Sequence, residues 1–215
     1  MGGFVRKSPE KLYSRWTFMG IFTSHMRCHG APPKEPWAYS DSFLNEFRRL
    51  LELRYKLMPY ILAQSIDCAK KGLPLVRPMF MECPEDPCCT GLEDQYFFGN
   101  DILVAPLFEE ERTRHVYLPE GNWVELGTNR VLTGGKWHKL TAEAYPGLAF
   151  VRAGAVIPTV TPALTTDAID WSRIKHIHFS DGSEEVFGLY PDAALQAAEN
   201  YSVESTIPLL PKEEF

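Results

Sequence analysis

The chain has 215 residues, of which 45% are hydrophobic and 23% are charged. This composition excludes a wholly disordered chain, and the length allows one large domain or two small ones. The 28 acidic residues outnumber the 22 basic ones, which gives a net charge of −6. A general nucleic-acid binder needs a basic face, so no nucleic-acid partner is expected. No apolar run reaches the roughly 18 residues of a membrane span, so no membrane partner is expected either.

The predicted elements before residue 90 begin with two helices. Ser8-Pro9-Glu10 predicts the start of the first helix, with Ser8 as its cap, and the pattern ends near Thr23. The second helix is longer and starts after a cap at Asp41 or Ser42. Its apolar residues recur at the three- and four-residue spacing of one helix face.

Two further signals follow in this first part of the chain. Pro59 lies inside the helical pattern and should kink it. Lys70-Lys71-Gly72 is a helix stop signal, and residues 74–81 then have the pattern of a buried strand. A helix, a short turn and a buried strand in succession indicate an α/β barrel or sheet.

After residue 90 the pattern changes to short strands separated by polar turns. The predicted strands are 96–98, 102–104, 115–118, 123–126, 150–152 and 155–158. Repeated strands of this kind predict a β-sandwich, with Trp123 and Trp137 in its core or capping its turns. A linker near 159–171 precedes a last hairpin, with strands at 174–179 and 186–190, that begins a further β-domain.

The cysteines favour a reduced compartment. The five residues are Cys28, Cys68, Cys83, Cys88 and Cys89. An odd, sparse set does not predict a disulfide framework, and no second ligand knuckle accompanies the group at 83–89 to make a zinc site. The start of the chain does not resemble a secretory signal, so a cytoplasmic location is expected.

The strongest polar cluster is formed by His25, Arg27 and His29, which share one side if the backbone is extended. Trp16 and Trp37 flank it in the sequence. Indole faces stack on sugar rings, and the polar groups could bind the hydroxyls of a polyhydroxylated ligand. On spacing alone, the favoured explanation is a structural loop in which the same side chains satisfy buried carbonyls.

Successive segments of the sequence resemble motifs of glycoside hydrolase family 31. They include Gly-Gly-Phe at 2–4, Leu-Tyr-Ser-Arg-Trp at 12–16, Ser-His-Met-Arg-Cys-His-Gly at 24–30 and Pro-Trp-Ala-Tyr at 36–39. The further segments that match are 55–60, 73–79, 95–106 and 118–123. Of these, residues 73–79 resemble the last barrel strand of the family. The resemblance implies α/β plus all-β architecture: the C-terminal end of a (β/α)8 barrel over 1–90, a β-sandwich over 91–160 and part of a distal β-domain over 161–215.

The resemblance also implies an activity, the retaining hydrolysis of terminal α-linked O-glycosides. The form Ser-His-x-Arg-x-His-Gly is more similar to the α-xylosidase branch than to the α-glucosidase branch. The resemblance implies that His29 binds the sugar and that Arg27 lies beside it. It also implies that Trp37 and Tyr39 line the mouth of the site. No cofactor or metal is implied, because two carboxylates suffice for this chemistry.

Both catalytic carboxylates of the family precede the Gly-Gly-Phe motif, so the resemblance implies that this chain carries neither and is inactive alone. Its partners would be an α-glycoside or oligosaccharide substrate and the missing N-terminal part of the barrel. Without those neighbours the helix at 43–62 should expose apolar surface, and the chain should be poorly soluble.

Two alternatives stay open at this point. The first is a non-catalytic carbohydrate-binding or interaction module on the β-sandwich, which needs an exposed aromatic platform such as Trp123 or Trp137. The second is activity of the chain itself through a carboxylate such as Glu82 or Asp101. General acid–base catalysis needs a matched pair in one pocket, and the sequence indicates no such pair.

Overall fold

The computed structural model describes residues 1–180, in which helices come first and strands follow. The helices are α1 (Glu10–Ile21), α2 (Asp41–Lys56), α3 (Met58–Lys71) and α4 (Met79–Glu82). The strands are β1 (Val76–Pro78), β2 (Tyr96–Phe98), β3 (Ile102–Pro106), β4 (Thr113–Leu118), β5 (Asn122–Glu125), β6 (Val131–Thr133), β7 (Lys136–Thr141), β8 (Gly147–Arg152), β9 (Val156–Thr159) and β10 (Lys175–His178). None of the helices in this part of the chain is long and apolar enough to cross a membrane.

The helix boundaries follow local chemistry, with two corrections to the predicted caps. Pro9, not Ser8, precedes α1, and the Ser8 hydroxyl instead donates to the carbonyl of Gly2 at 2.5 Å. Ser40, one residue before the predicted position, caps α2 by accepting a hydrogen bond from the Phe43 amide. Its hydroxyl satisfies an amide that has no partner within the helix.

The long helical pattern is interrupted, not merely kinked. The backbone leaves the helical conformation at Leu57, and α3 restarts with Pro59 in its first turn, where a missing amide proton costs little. The predicted stop is confirmed, because Gly72 ends α3 with a left-handed φ of 69°.

The predicted strand over 74–81 is shorter than expected and belongs to a different sheet. Only Val76–Pro78 is extended, and it pairs antiparallel with Tyr96–Phe98 at the edge of a six-stranded sheet. Pro78 has no amide proton to extend the ladder, and the chain turns at once into α4. Residues 76–78 are therefore part of an antiparallel sheet and are not a parallel barrel strand.

The six-stranded sheet has the order β1-β2-β3-β8-β5-β6 and is covered on both faces. Phe98, Ile102 and Val104 face a core shared with α1, α2 and α3. Phe97 and Leu103 face the opposite way, into a core shared with a two-stranded ribbon of β4 and β7. All five residues of β3 are consequently buried, which explains its continuous apolar run. A β-sandwich of two extended sheets is not confirmed.

The last described strand returns to an earlier one. Lys175–His178 pairs antiparallel with Val156–Thr159, so the strand predicted at 174–179 does not open a separate hairpin within the described range. Phe179 packs into the core on the helix side of the sheet. The strand predicted at 186–190 lies outside the described residues, and the division into 1–90, 91–160 and 161–215 stays a prediction.

Candidate functional site

A cleft of about 1160 Å³ opens where α1 ends and the polar loop at 24–28 begins. We call it the site cleft. Its lining includes Trp16, Met19, Arg27, Trp37, Arg54 and Met58. Most of the lining is apolar, and its polar side chains come from the loop and from Arg54 and Tyr55 of α2. This is the composition expected of a small-molecule site, in which a few polar groups orient a ligand against apolar walls.

Arg54 of α2 holds the first end of this loop. One guanidinium nitrogen, Nη1, donates to the carbonyls of Ile21 at 2.7 Å and Thr23 at 2.8 Å, and Nη2 donates to Ser24 at 3.2 Å. These carbonyls lie at the end of α1 and just beyond it, where a helix leaves acceptors without partners. The side chain is buried, and this burial lowers the pKa of Arg54. The loop therefore leaves α1 at a fixed point.

Gly30 holds the second end of the loop. The Ala31 amide donates to the Phe4 carbonyl at 2.8 Å, which brings the two backbones together. A Cβ at Gly30 would lie 2.7 Å from the Gly3 oxygen and 2.9 Å from the Phe4 oxygen, so only glycine fits. The Gly-Gly-Phe motif and the Ser-His-Met-Arg-Cys-His-Gly motif, which are separate in sequence, thus lie side by side.

Lys34 also stabilises the segment that carries the Gly-Gly-Phe motif. Its side chain is buried, and its Nζ donates to the carbonyls of Gly2 at 2.7 Å and Arg6 at 2.5 Å. Tyr13 of α1 in turn donates its hydroxyl proton to the Lys34 carbonyl at 2.9 Å. The segment that carries the Gly-Gly-Phe motif is therefore tied to α1 through one lysine.

The three residues of the polar cluster do not share one side. His25 and Arg27 line the site cleft, and the His25 Nδ1 lies 3.0 Å from the Ser24 hydroxyl. His29 is exposed, and its ring lies 5.6 Å from the ring of Phe4. It is not among the described residues that line the cleft. The backbone between 25 and 30 is irregular, so the alternation of an extended strand does not apply.

Trp37 and Tyr39, the two aromatic residues expected at the mouth of the site, also lie in different surroundings. Trp37 is 74% exposed and lines the cleft, where its indole face is open. Tyr39 instead packs in an aromatic group, with its ring centroid 4.8 Å from that of Phe43 and 5.4 Å from that of Tyr13. Tyr39 is thus a packing residue.

No aspartate or glutamate of residues 1–180 lines the site cleft. Glu82 forms an ion pair with Arg77 at 2.9 Å. Asp101 is partly buried near Arg152, and this burial raises the pKa of its carboxyl group. Both carboxylates belong to a polar network between α3, α4 and the turn after β2, and neither is placed to act on a ligand in the cleft.

The sequence analysis missed Arg54 and Lys34, although one of them left a signal. Phe43, Phe47, Leu50 and Arg54 follow each other at spacings of four, three and four residues and are all buried. A charged residue on the apolar face of a helix must find buried acceptors, and this marks it as a structural anchor. Lys34 left no comparable signal, because it lies in a loop without periodicity.

Comparison with known families agrees with this arrangement. Residues 1–64 match the TIM-barrel domain of glycosyl hydrolase family 31, and residues 72–157 match the C-terminal domain of the same family. The second match includes β1, consistent with its pairing in the antiparallel sheet.

Individual relatives show the same relationship. The chain is 32% identical over 196 residues to α-glucosidase 2 of Bacillus thermoamyloliquefaciens. This match covers 89% of this chain and 25% of that protein. The chain is 36% identical over 169 residues to an α-xylosidase of Emericella nidulans, which covers 74% and 21%. A family 31 dextranase of Flavobacterium johnsoniae, complexed with glucose, superimposes with a TM-score of 0.74 at 30% identity and covers 80% of this chain and 22% of the dextranase.

The chain thus spans about a quarter of the length of the curated relatives it matches. The two family matches follow each other in the order of the sequence, and the solved relative has the same fold over most of the described residues. The chain therefore belongs to glycosyl hydrolase family 31, of which it carries the end of the TIM barrel and the C-terminal domain.

Proposed function

We propose that this chain forms one wall of the sugar site in a retaining glycosidase that hydrolyses terminal α-linked O-glycosides. The observation that carries the proposal is the loop at 24–30, which Arg54 fixes at one end and Gly30 at the other. A polar loop fixed at both ends keeps its side chains in place before a ligand arrives, which lowers the cost of binding.

Arg27 and His29 are the proposed sugar-binding residues. Both are exposed on the fixed loop, and Arg27 lines the site cleft together with Trp37. A guanidinium donates hydrogen bonds to hydroxyl oxygens, an imidazole can donate or accept, and an indole offers an apolar face to the ring. A terminal sugar residue fits this combination of groups.

The acidic pair of the reaction is proposed to come from the rest of the barrel. Retaining glycosidases place a nucleophile and an acid–base carboxyl group about 5–5.5 Å apart. The cleft contains neither within the described part of the chain. The N-terminal part of a family 31 barrel is the partner that would complete the site, and the isolated chain is expected to be inactive.

We favour α-xylosides as the substrates. The Ser-His-x-Arg-x-His-Gly form of the loop is similar to the α-xylosidase branch, and the relative from Emericella nidulans is named an α-xylosidase. The relative from Bacillus thermoamyloliquefaciens is named an α-glucosidase, so α-glucosides are the alternative.

A stand-alone binding module is not favoured. Trp123, one of the two indoles that its platform would need, is fully buried at 0% exposure and donates its Nε1 proton to the Pro119 carbonyl. The family relationship also covers both parts of the chain and not the sheet alone.

A chimera tests the proposal. The matching section of α-glucosidase 2 is replaced by this chain, and hydrolysis of 4-nitrophenyl α-xyloside and α-glucoside is measured. We expect an active chimera in which the ratio of kcat/KM for the xyloside to kcat/KM for the glucoside is higher than in the parent enzyme. Arg27→Ala or His29→Ala should lower kcat/KM tenfold or more, which is about the cost of one lost hydrogen bond to a charged group.

The matched control is Arg48→Ala, an exposed arginine on α2 outside the cleft, which should leave kcat/KM unchanged. An active chimera that tolerates His29→Ala and Arg27→Ala would contradict the assigned residues. A ratio unchanged from the parent would contradict the xyloside preference. Turnover by the isolated chain would show that it holds its own carboxylate pair.

A further inference from the structure

A second cavity, of about 560 Å³, lies on the β-rich part of the chain among the turns at 119–122 and 133–135. We call it the turn cavity. Its lining includes Asp86, Tyr117, Glu120, Gly121, Asn122 and Gly134. It shares no lining residue with the site cleft, and the function proposed above does not use it.

The floor of the turn cavity is rigid. The Gly134 amide donates to the Gly121 carbonyl at 2.6 Å, and the Gly135 amide donates to the Leu118 carbonyl at 2.8 Å, which joins the two turns. A Cβ at Gly134 would lie 1.8 Å from the Pro119 oxygen, so the turns can approach this closely only with glycine there. The concave shape therefore exists before any ligand binds.

The polar wall of the turn cavity is fixed as well. The Tyr117 hydroxyl donates to Asp86 Oδ2 at 2.7 Å, and Asp86 Oδ1 accepts the Cys88 amide at 3.0 Å. Glu120 and Asn122 are exposed beside them. These groups accept hydrogen bonds from hydroxyls, and no lysine or arginine of the described residues lines the cavity, so it does not suit an anion.

Trp137 supplies an aromatic face next to this wall. It lies opposite Tyr117 in the ribbon of β4 and β7, and their ring centroids are 5.5 Å apart with the planes tilted by 57°. The indole is 50% exposed, although large aromatic side chains gain most from burial. Tyr117, itself held by Asp86, braces one side of the indole and leaves the rest open.

We infer that the turn cavity and Trp137 form an accessory, non-catalytic site for a neutral carbohydrate. One sugar ring stacks on the open indole face, and its hydroxyls donate to the acceptors of Glu120, Asn122 and Asp86. Such a surface would hold an oligosaccharide or polysaccharide chain on the protein independently of the sugar site in the barrel.

Fluorine NMR of the full chain labelled with 5-fluorotryptophan tests this inference, because the chain has five tryptophans and each gives one resonance. Isomaltotriose and a xyloglucan heptasaccharide are the probes, and Trp137→Phe assigns the resonance. We expect a saturable shift of the Trp137 signal at millimolar sugar, while the signal of the buried Trp123 stays in place. A shift shared equally by all five signals would contradict a site at Trp137.

Variants separate this site from the site cleft. Glu120→Ala and Asn122→Ala, both at exposed positions, should weaken binding at least fivefold, as lost hydrogen bonds of about 1 kcal/mol each predict. His29→Ala and Trp37→Ala should leave it unchanged. The inference is overturned if the Trp137 signal does not move, if glycerol at the same concentration moves it equally, or if His29→Ala abolishes the shift. None of these outcomes bears on the activity of the chimera.

Discussion

Asp101 shows how one partly buried carboxyl group makes the stability of this chain depend on pH. It lies in the turn between β2 and β3, where its amide donates to the Tyr60 hydroxyl at 3.1 Å. Burial raises the pKa of its carboxyl group in the folded chain, although nearby Arg152 acts in the opposite direction. The folded state therefore holds the proton more tightly than the unfolded state does, and stability falls as pH rises through the raised pKa.

We expect Asp101→Asn, which resembles the protonated acid, to raise the melting temperature at pH 7.5. The gain should shrink as the pH falls towards 4, because the native carboxyl group then becomes neutral as well. Thermal melts of both proteins across this pH range measure the difference. As a control, Asp170→Asn should show no such gain, since hydrogen bonds from Ser172 lower the pKa of that exposed carboxylate. A gain that is independent of pH would contradict the assignment.

At the scale of elements, α2 supports the end of α1 through Arg54. We expect Arg54→Met to reduce the free energy of unfolding by about 3 kcal/mol, because it keeps the apolar stem but leaves buried carbonyls without a donor. Urea unfolding measures the loss, and amide exchange over 22–28 should accelerate more than exchange in β3. Arg48→Met on the exposed side of the same helix should cost less than about 0.5 kcal/mol. Equal losses in the two variants would argue against a specific role.

Local sequence signals located most elements but not their partners. The spacing of apolar residues predicted α2, and Gly72 marked the end of α3. The placement of residues 76–78 was wrong because their partner is Tyr96–Phe98, and nothing within the segment encodes a partner twenty residues away. β6 and β7 were missed because their side chains are largely exposed, so the apolar alternation that marks a half-buried strand is absent.

For the candidate site, the sequence indicated the loop but not the positions of its side chains. The motif at 24–30 predicted a polar loop, because His25, Arg27 and His29 alternate there. The different positions of His29 and Arg27 were not predictable, because they depend on where Gly30 meets Phe4 across a separation of 26 residues. The platform at Trp123 was excluded only by the ribbon that covers its side of the sheet.

At the scale of the whole molecule, some of the exposed apolar side chains lie at the site cleft and on the segment beside its loop. Trp37 is 74% exposed, Val5 77% and Phe4 60%. Apolar patches of this kind mark interaction surfaces and promote association of a chain that lacks its partner. We therefore expect the isolated chain to form concentration-dependent oligomers.

Light scattering coupled to size-exclusion chromatography checks this expectation over a tenfold range of concentration. The double variant Val5→Ser and Trp37→Ser should shift the chain towards monomer. Leu164→Ser, which removes an even more exposed apolar side chain from the loop before β10, should not. A monomeric chain with a single sharp thermal transition would count against an unpartnered barrel face.

The pairing of β3 with β8 has a consequence for synthesis of the protein. The centre of the sheet joins Ile102–Pro106 to Gly147–Arg152, so β3 can pair with β2 at once, but a ribosome must add more than forty residues before β8 can pair with its other edge. Until then the growing polypeptide presents an apolar ribbon with open edges, which is the kind of nascent segment that chaperones bind. A premature stop codon anywhere before position 152 would release a product that cannot close its central sheet, so cells should degrade it.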